Sequence, residues 1–247
     1  MGGNIKNSLS TVEKLSDFLI REINLLGEDK VNFIKTKHVA VFGLGGVGSF
    51  CAEALVRAGV GTITVCDGDR VAESNLNRQL FALRSTVGRL KTAVAKERFL
   101  DINPDLKIIE KPIFFNAETS AGFDFTEYDY VLDCIDNVTS KLLLVERCKS
   151  ADKPVICCLG TGNKLDNTRF SITDIYKTKV CPLAKVMRKE LRARGIDGLD
   201  VLYSEEEPRT PLCEDKRTPA SISFVPSTAG LMIAGKVIND FLREKKV

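Results

Sequence analysis

The 247-residue chain has one histidine, no Cys-x-x-Cys pair, no repeat or low-complexity tract, and no apolar run of the ~18 residues that would span a bilayer. Each absence removes a class of function. The lone His38 opens an apolar run, whereas ligands of open α/β sheets bind beyond the carboxyl ends of the strands, so a histidine-based triad is not expected. Without paired Cys-x-x-Cys spacing there is neither a zinc knot nor a thioredoxin-type motif. Of the eight cysteines, Cys66, Cys134, Cys157 and Cys158 fall in apolar runs and read as small buried hydrophobes. Cys181 and Cys213 sit in more polar stretches and could be exposed, with no neighbour that would activate either thiol. The start, MGGNIKNSLS, lacks the apolar core of a signal peptide, so a cytoplasmic protein without membrane contact is expected. A net charge of +3 is too small to imply nucleic-acid binding, which would have to come from a local patch.

What is present concentrates between Val39 and Arg78. Val39 to Phe42 is a short β-branched apolar run suited to a strand buried on both faces. Gly43, Gly45 and Gly48 then match G-x-G-x-x-G, with Gly46 as an extra: a tight turn, a close phosphate approach, and close helix packing. The following helix ends at Ala58-Gly59, Thr62 to Cys66 is the next strand, and Asp67 stands at its carboxyl end, where an acid accepts from ribose hydroxyls. Alone, this fingerprint reads as NAD or FAD binding. Its sequel, Ser74-Asn75-Leu76-Asn77-Arg78-Gln79 followed by Lys91, points instead to a triphosphate, because an Arg fork and a Lys point charge both stabilise charge on a transferring phosphoryl group.

The alternation continues. Amphipathic spacing of Leu15, Phe18, Leu19, Ile23 and Leu26 predicts an N-terminal helix over Thr11 to Asn32, with Gly27 as its stop. A helix carrying Leu90, Lys91, Val94 and Phe99 follows and ends near Asn103-Pro104; Leu106 to Glu110 reads as an edge strand, Asp129 to Asp133 as a strand, Val138 to Ser150 as a helix, and Pro154 to Cys158 as a buried strand. The fold class is therefore α/β: a Rossmann-like, doubly wound, mostly parallel sheet with an N-terminal helix and a C-terminal helical and strand extension. One domain over 1–247 is expected, its nucleotide core at about 30–160 and the extension at about 161–247. Asp136, just past a strand end, is placed to reach a magnesium ion; Asp133 either does the same or caps the next helix.

GLGGVGS, Asp67, SNLNRQ, VGRLK and LDCIDN, in this order, resemble the adenylyltransferase family related to ubiquitin-activating enzymes, which includes the activators of the molybdopterin and thiamine sulfur carriers. The resemblance implies binding of ATP and Mg2+ and attack by a carboxylate on the α-phosphorus. By position it implies a nucleotide site of Gly43, Gly45, Gly46, Gly48, Asp67, Asn75, Arg78, Gln79, Lys91, Asp136 and Asn137. Within it, Gly46 lies against phosphate, Asp67 holds ribose, Asn75 and Arg78 contact the triphosphate, Lys91 stabilises the transition state and Asp136 positions magnesium. Arg21 resembles the arginine that reaches into the partner subunit's site, which implies a homodimer.

The C-terminal third separates branches of that family. The stretches 175–195, 203–208 and 221–230 resemble the tRNA threonylcarbamoyladenosine dehydratases, and the zinc-binding cysteine pairs of sulfur-carrier activators are missing. One departure is Cys181, where an aspartate is expected before Pro-Leu-Ala-Lys. The resemblance implies a tRNA carrying threonylcarbamoyladenosine as substrate, and leaves room for a monovalent cation (Na+ or K+) and a sulfur-transfer protein partner. Lys185, Arg188, Lys189 and Arg192 recur at helical steps opposite Leu183, Val186 or Met187, and Leu191. Taken alone, that stripe reads as a solvated helix face; with the resemblance, it reads as a grip on tRNA phosphates. Two rivals stand beside this reading: an activator of a ubiquitin-like carrier protein, and a non-catalytic or NAD-dependent nucleotide binder. The tail from Phe224 onward predicts a last helix with Leu231, Ile233, Ala234, Val237, Ile238 and Phe241 mostly on one side.

Overall fold

A computed structural model describes residues 17–212 and 219–244. Seven strands form one sheet: β1 (His38–Phe42), β2 (Thr62–Cys66), β3 (Lys107–Lys111), β4 (Tyr130–Asp133), β5 (Val155–Cys158), β6 (Phe170–Asp174) and β7 (Asp200–Ser204), in the order β3-β2-β1-β4-β5-β7-β6. All neighbours are parallel except β6 and β7. The helices are α1 (Ile20–Leu26), α2 (Glu28–Lys35), α3 (Gly48–Arg57), α4 (Lys91–Ile102), α5 (Val138–Ser150), α6 (Pro182–Ala193) and α7 (Phe224–Glu244).

Both faces of the sheet are covered, as the unbroken apolar runs of β1, β4 and β5 require. One core layer gathers Val39, Val41, Leu55, Phe99, Ile233 and Phe241. The other gathers Ala40, Phe42, Val145, Met187 and Leu191 with an aromatic cluster in which Phe42 lies 5.0 Å from Phe115 and 5.2 Å from Phe123. Such ring pairs add about 0.5–1.5 kcal/mol each beyond their buried area.

The expected N-terminal helix is interrupted. Gly27, at φ +88°, ends α1, and α2 starts at the next residue and runs to Lys35, past the expected end at Asn32. Thr11 to Ser16 lie outside the described residues, as does Cys213. Leu19 is buried against Gly59, while Phe18 is 39% exposed. On the final helix Ile233, Ala234, Val237 and Phe241 are buried, but Leu231 is 53% exposed. Cys181 is also buried, at 7% exposure, because it is the residue before the first turn of α6 and α6 packs its Ala184 and Met187 inward. No helix among the described residues is long and apolar enough to cross a membrane.

Candidate active site

Register places the site. Phe42 pairs with Cys66 on one side and Asp133 on the other, so β1, β2 and β4 end at one level. The next residues, Gly43, Asp67 and Cys134, share a rim: Gly43 N–H donates to Cys66 O at 2.8 Å and Cys134 N–H to Phe42 O at 2.8 Å. Here the chain leaves β1 with β2 on one flank and β4 on the other, which is the switch point where open α/β sheets bind ligands.

The glycines are fixed by contact. Gly43 has φ +91°, and a Cβ there would stand 2.6 Å from Cys134 O; on Gly48 a Cβ would stand 1.8 Å from Gly43 O. Those two positions let α3 start directly behind the turn. The loop leaves the N-terminus of α3, with its partial positive charge, facing a cleft of about 950 Å3. Pro226 of α7 closes over Gly46, 3.1 Å from where a Cβ would be.

Gly43, Gly45, Gly46, Asp67, Asn75, Arg78, Gln79, Lys91, Asp136 and Asn137 all line this single cleft. Gly48 stands behind it as the first residue of α3. Asp67 is 8% exposed; its Oδ2 accepts from Leu44 N–H at 2.6 Å and its Oδ1 from Asp69 N–H at 2.8 Å. Burial pushes its carboxyl up from the ordinary value, against the opposing pull of Lys91 and those two amides. Lys91, the first residue of α4 and 4% exposed, donates Nζ–H to Asp69 Oδ2 at 2.9 Å and stands 3.8 Å from Asp67 Oδ2. Arg78 is half-buried and its Nη1 donates to Ser74 O at 2.8 Å and to Asn77 Oδ1 at 3.0 Å. Asn75 spends its Oδ1 on Ala72 N–H, so it shapes the turn as well as lining the cleft. Gln79 lies 3.9 Å from where a Cβ on Gly45 would be.

Beyond β4, Asp136 is exposed at the cleft, and Asn137 caps α5 through Ser140 N–H at 3.0 Å. Asp133 takes neither of its two expected roles. It is fully buried and ion-paired with Lys141 at 3.1 Å.

The cysteines near the rim are inert thiols. Burial pushes Cys66 and Cys158 up to about 12 and Cys134 well above its ordinary value.

Two sets of expected residues lie elsewhere. Arg21 is exposed on α1 and does not line the cleft. Lys185, Arg188, Lys189 and Arg192 share α6, whose Leu183 reaches the cleft wall. Lys185 and Lys189 are exposed; Arg188 donates to Thr178 O at 3.2 Å, and Arg192 lies 4.9 Å over the Tyr176 ring. The inward face is Ala184, Met187 and Leu191, with Val186 48% exposed, which settles the choice between Val186 and Met187.

Sequence reasoning missed Asp69, Lys141 and the loop Ile113 to Asn116, all at the cleft. Asp69 was findable from its spacing two residues after Asp67. Phe114 carried no signal: it is 58% exposed, yet packed so near Gly68 that a Cβ there would stand 2.7 Å from the ring. Lys141 reads in sequence as a solvated helix residue, though it is 1% exposed.

Known proteins place this geometry. The ThiF family model matches residues 19–246. The Bacillus subtilis tRNA threonylcarbamoyladenosine dehydratase is 41% identical over 237 residues, covering 90% of this chain and 93% of that protein. The crystal structure of the Escherichia coli tRNA N6-threonylcarbamoyladenosine dehydratase, TcdA, in complex with AMP superposes with a TM-score of 0.84 at 32% identity, covering 90% of this chain and 92% of that one; the complex with ATP gives 0.83. The adenylyltransferase and sulfurtransferase UBA4 of Candida glabrata is 35% identical over 142 residues, only 58% of this chain and 33% of that protein. With its glycine loop, strand-end acids and C-terminal helix inside one continuous match, the chain belongs to the ThiF family.

Proposed function

We propose that the protein carries out ATP-dependent dehydration of threonylcarbamoyladenosine at position 37 of tRNA, closing the threonylcarbamoyl side chain into a ring. The observation that carries the reading is the meeting of Arg78, Lys91, Asp67 and Asp136 around the glycine turn in one cleft, in a chain 41% identical to a dehydratase over nine-tenths of its length. The threonyl carboxylate attacks the α-phosphorus of ATP, pyrophosphate leaves, and an acyl-adenylate forms. A nitrogen of the carbamoyl group then attacks the activated carbonyl and AMP leaves with the carboxylate oxygen. No protein nucleophile takes part, which suits a rim where burial pushes the Cys134 and Cys158 thiols up.

In this reading the turn at Gly43, Gly45 and Gly46 cradles phosphate with its amides, Asp67 accepts from ribose hydroxyls, and Asn75 and Gln79 flank the triphosphate. Arg78 and Lys91 stabilise charge as it builds on the transferring group. Asp136 is the carboxylate suited to Mg2+, and Asn137 fixes its loop. Among the described residues no group of three His, Cys, Asp or Glu could hold a metal, so Asp136 is the single side chain assigned to it. A bound Mg2+ would neutralise phosphate charge during the transfer.

Lys185 and Lys189 contact tRNA phosphates, and Arg188 and Arg192 extend that face. A homodimer would bring Arg21 of one protomer to the partner's cleft; its exposure outside its own cleft supports this. A monovalent cation, Na+ or K+, and a sulfur-transfer protein remain accessories of the same proposal. The carrier-activating alternative is weaker, because the similarity to UBA4 leaves much of this chain unmatched. Nucleoside analysis of tRNA from cells with and without the gene tests the function: ring-closed nucleoside disappears with the gene, and its persistence in a strain with no second such gene would refute the proposal.

A further inference from the structure

The buried pair Asp133–Lys141 performs none of the roles above: Lys141 reaches the cleft lining, and Asp133 stands behind it. Asp133, the last residue of β4, is 0% exposed; Lys141, one turn into α5, is 1% exposed. Lys141 Nζ lies 3.1 Å from Asp133 Oδ2 and donates to Cys158 O at 2.7 Å, at the end of β5. Burial disfavours the ammonium, but the Asp133 carboxylate beside it outweighs this and raises its pKa.

Stability does not explain the pair. A buried ion pair loses about as much in desolvation as it gains in attraction, and an apolar pair of similar volume is often as stable or more so. What an apolar pair lacks is direction. Asp133 Oδ1 also accepts from Ile135 N–H at 3.1 Å, Asn137 Oδ1 from Ser140 N–H at 3.0 Å, and Asn137 O from Lys141 N–H at 3.0 Å. The loop 134–137 is thus closed at both ends, with exposed Asp136 at its tip. Through Cys158 O, the same lysine fastens that loop to the segment after β5, where Gly160 to Gly162 also line the cleft.

We infer that Asp133 and Lys141 are positioning residues for the adenylating reaction: a buried latch that holds the Asp136 loop at a fixed place relative to the β5 loop. Asp133 is shut off from the cleft, and the ammonium of Lys141 is committed to Asp133 and Cys158 O, so both act through Asp136. This rests on the proposed role of Asp136, and the test separates the two.

Turnover of ATP with tRNA carrying threonylcarbamoyladenosine is measured, with melting temperature, for the wild type and for Asp136→Ala, Lys141→Met, Lys141→Met in the Asp136→Ala background, and the double variant Asp133→Leu/Lys141→Met. The double variant removes both charges, so its melting temperature recovers toward wild type, while kcat stays about 10- to 100-fold down, the range over which supporting partners of a site act. KM for tRNA changes little. In the Asp136→Ala background, Lys141→Met lowers the residual turnover no further. A folded double variant with near-wild-type kcat, or full additivity of Lys141→Met with Asp136→Ala, would overturn the latch. A wild type without ring closure, or an Asp136→Ala protein with full turnover, would instead overturn the role of Asp136 itself.

Discussion

Lys91 is held by Asp69 through both backbone and side chain: its N–H donates to Asp69 O at 3.1 Å and its Nζ to Asp69 Oδ2 at 2.9 Å. Asp67, 3.8 Å from the same ammonium, is already committed to two backbone amides, whereas the Asp69 side chain is 54% exposed. In the proposed reaction Asp69 is therefore the partner that yields Lys91 to an arriving phosphate. Removing one preorganised donor to transition-state charge costs on the order of 10²–10³ in turnover. Lys91→Ala and Arg78→Ala should each lose activity on that scale with far-ultraviolet circular dichroism unchanged. If turnover survives either substitution, that residue has no part in adenylation.

The glycine turn tolerates no side chain at Gly48. A Cβ 1.8 Å from Gly43 O forces α3 away from β1, and overpacking of this kind costs typically ~1–3 kcal/mol or more. Gly48→Ala is expected to lower the urea midpoint and to weaken ATP binding in equilibrium titration. Unchanged midpoint and affinity would show that the backbone relaxes around the methyl group.

On α6 the four basic residues divide. Lys185, Lys189 and Arg192 are exposed, Arg192 resting over the Tyr176 ring, whereas Arg188 is half-buried and bonded to Thr178. Lys185→Glu/Lys189→Glu should weaken tRNA binding and flatten its salt dependence, each lost phosphate contact removing roughly 0.7–0.9 from the log–log slope. ATP affinity stays unchanged. Arg192→Ala should also cost about 0.5–1 kcal/mol of stability through the lost ring contact. Identical salt slopes for wild type and the double variant would make this face merely solvated.

Acid sensitivity follows from Glu53. Burial pushes its carboxyl up, but hydrogen bonds from Arg98 and from Arg57, the latter at 2.8 Å, outweigh that and leave it below its ordinary value of 4.5. A depressed native pKa contributes stability that is present above 4.5 and is lost as pH falls through the depressed value. The gap in melting temperature between wild type and Glu53→Gln should therefore be full at neutral pH and close on acidification below 4.5. A gap independent of pH would assign the effect to packing.

The fold was legible wherever one periodicity dominated. β2 and α5 run from Thr62 to Cys66 and from Val138 to Ser150, the limits read from apolar patterning. β6 and β7 were not placed, because β6 is a half-buried edge strand and the two meet as an antiparallel pair across the whole of α6. The meeting of the glycine turn, Asp67, Arg78 and Asp136 in one cleft was legible because glycine spacing and strand-end acids are local signals. Asp69, Phe114 and Lys141 were not, since their roles come from residues far along the chain: Lys141 acquires Cys158 O as a partner only when β5 lies beside β4.

The central claim is tested most directly with purified protein, ATP-Mg2+ and tRNA bearing the linear threonylcarbamoyladenosine, followed by mass spectrometry of the released nucleosides. The account predicts a nucleoside lighter by one water, formed only when ATP is present and with AMP and pyrophosphate as co-products. Unchanged linear nucleoside, alongside pyrophosphate exchange that depends on a small protein ending in Gly-Gly, would contradict it.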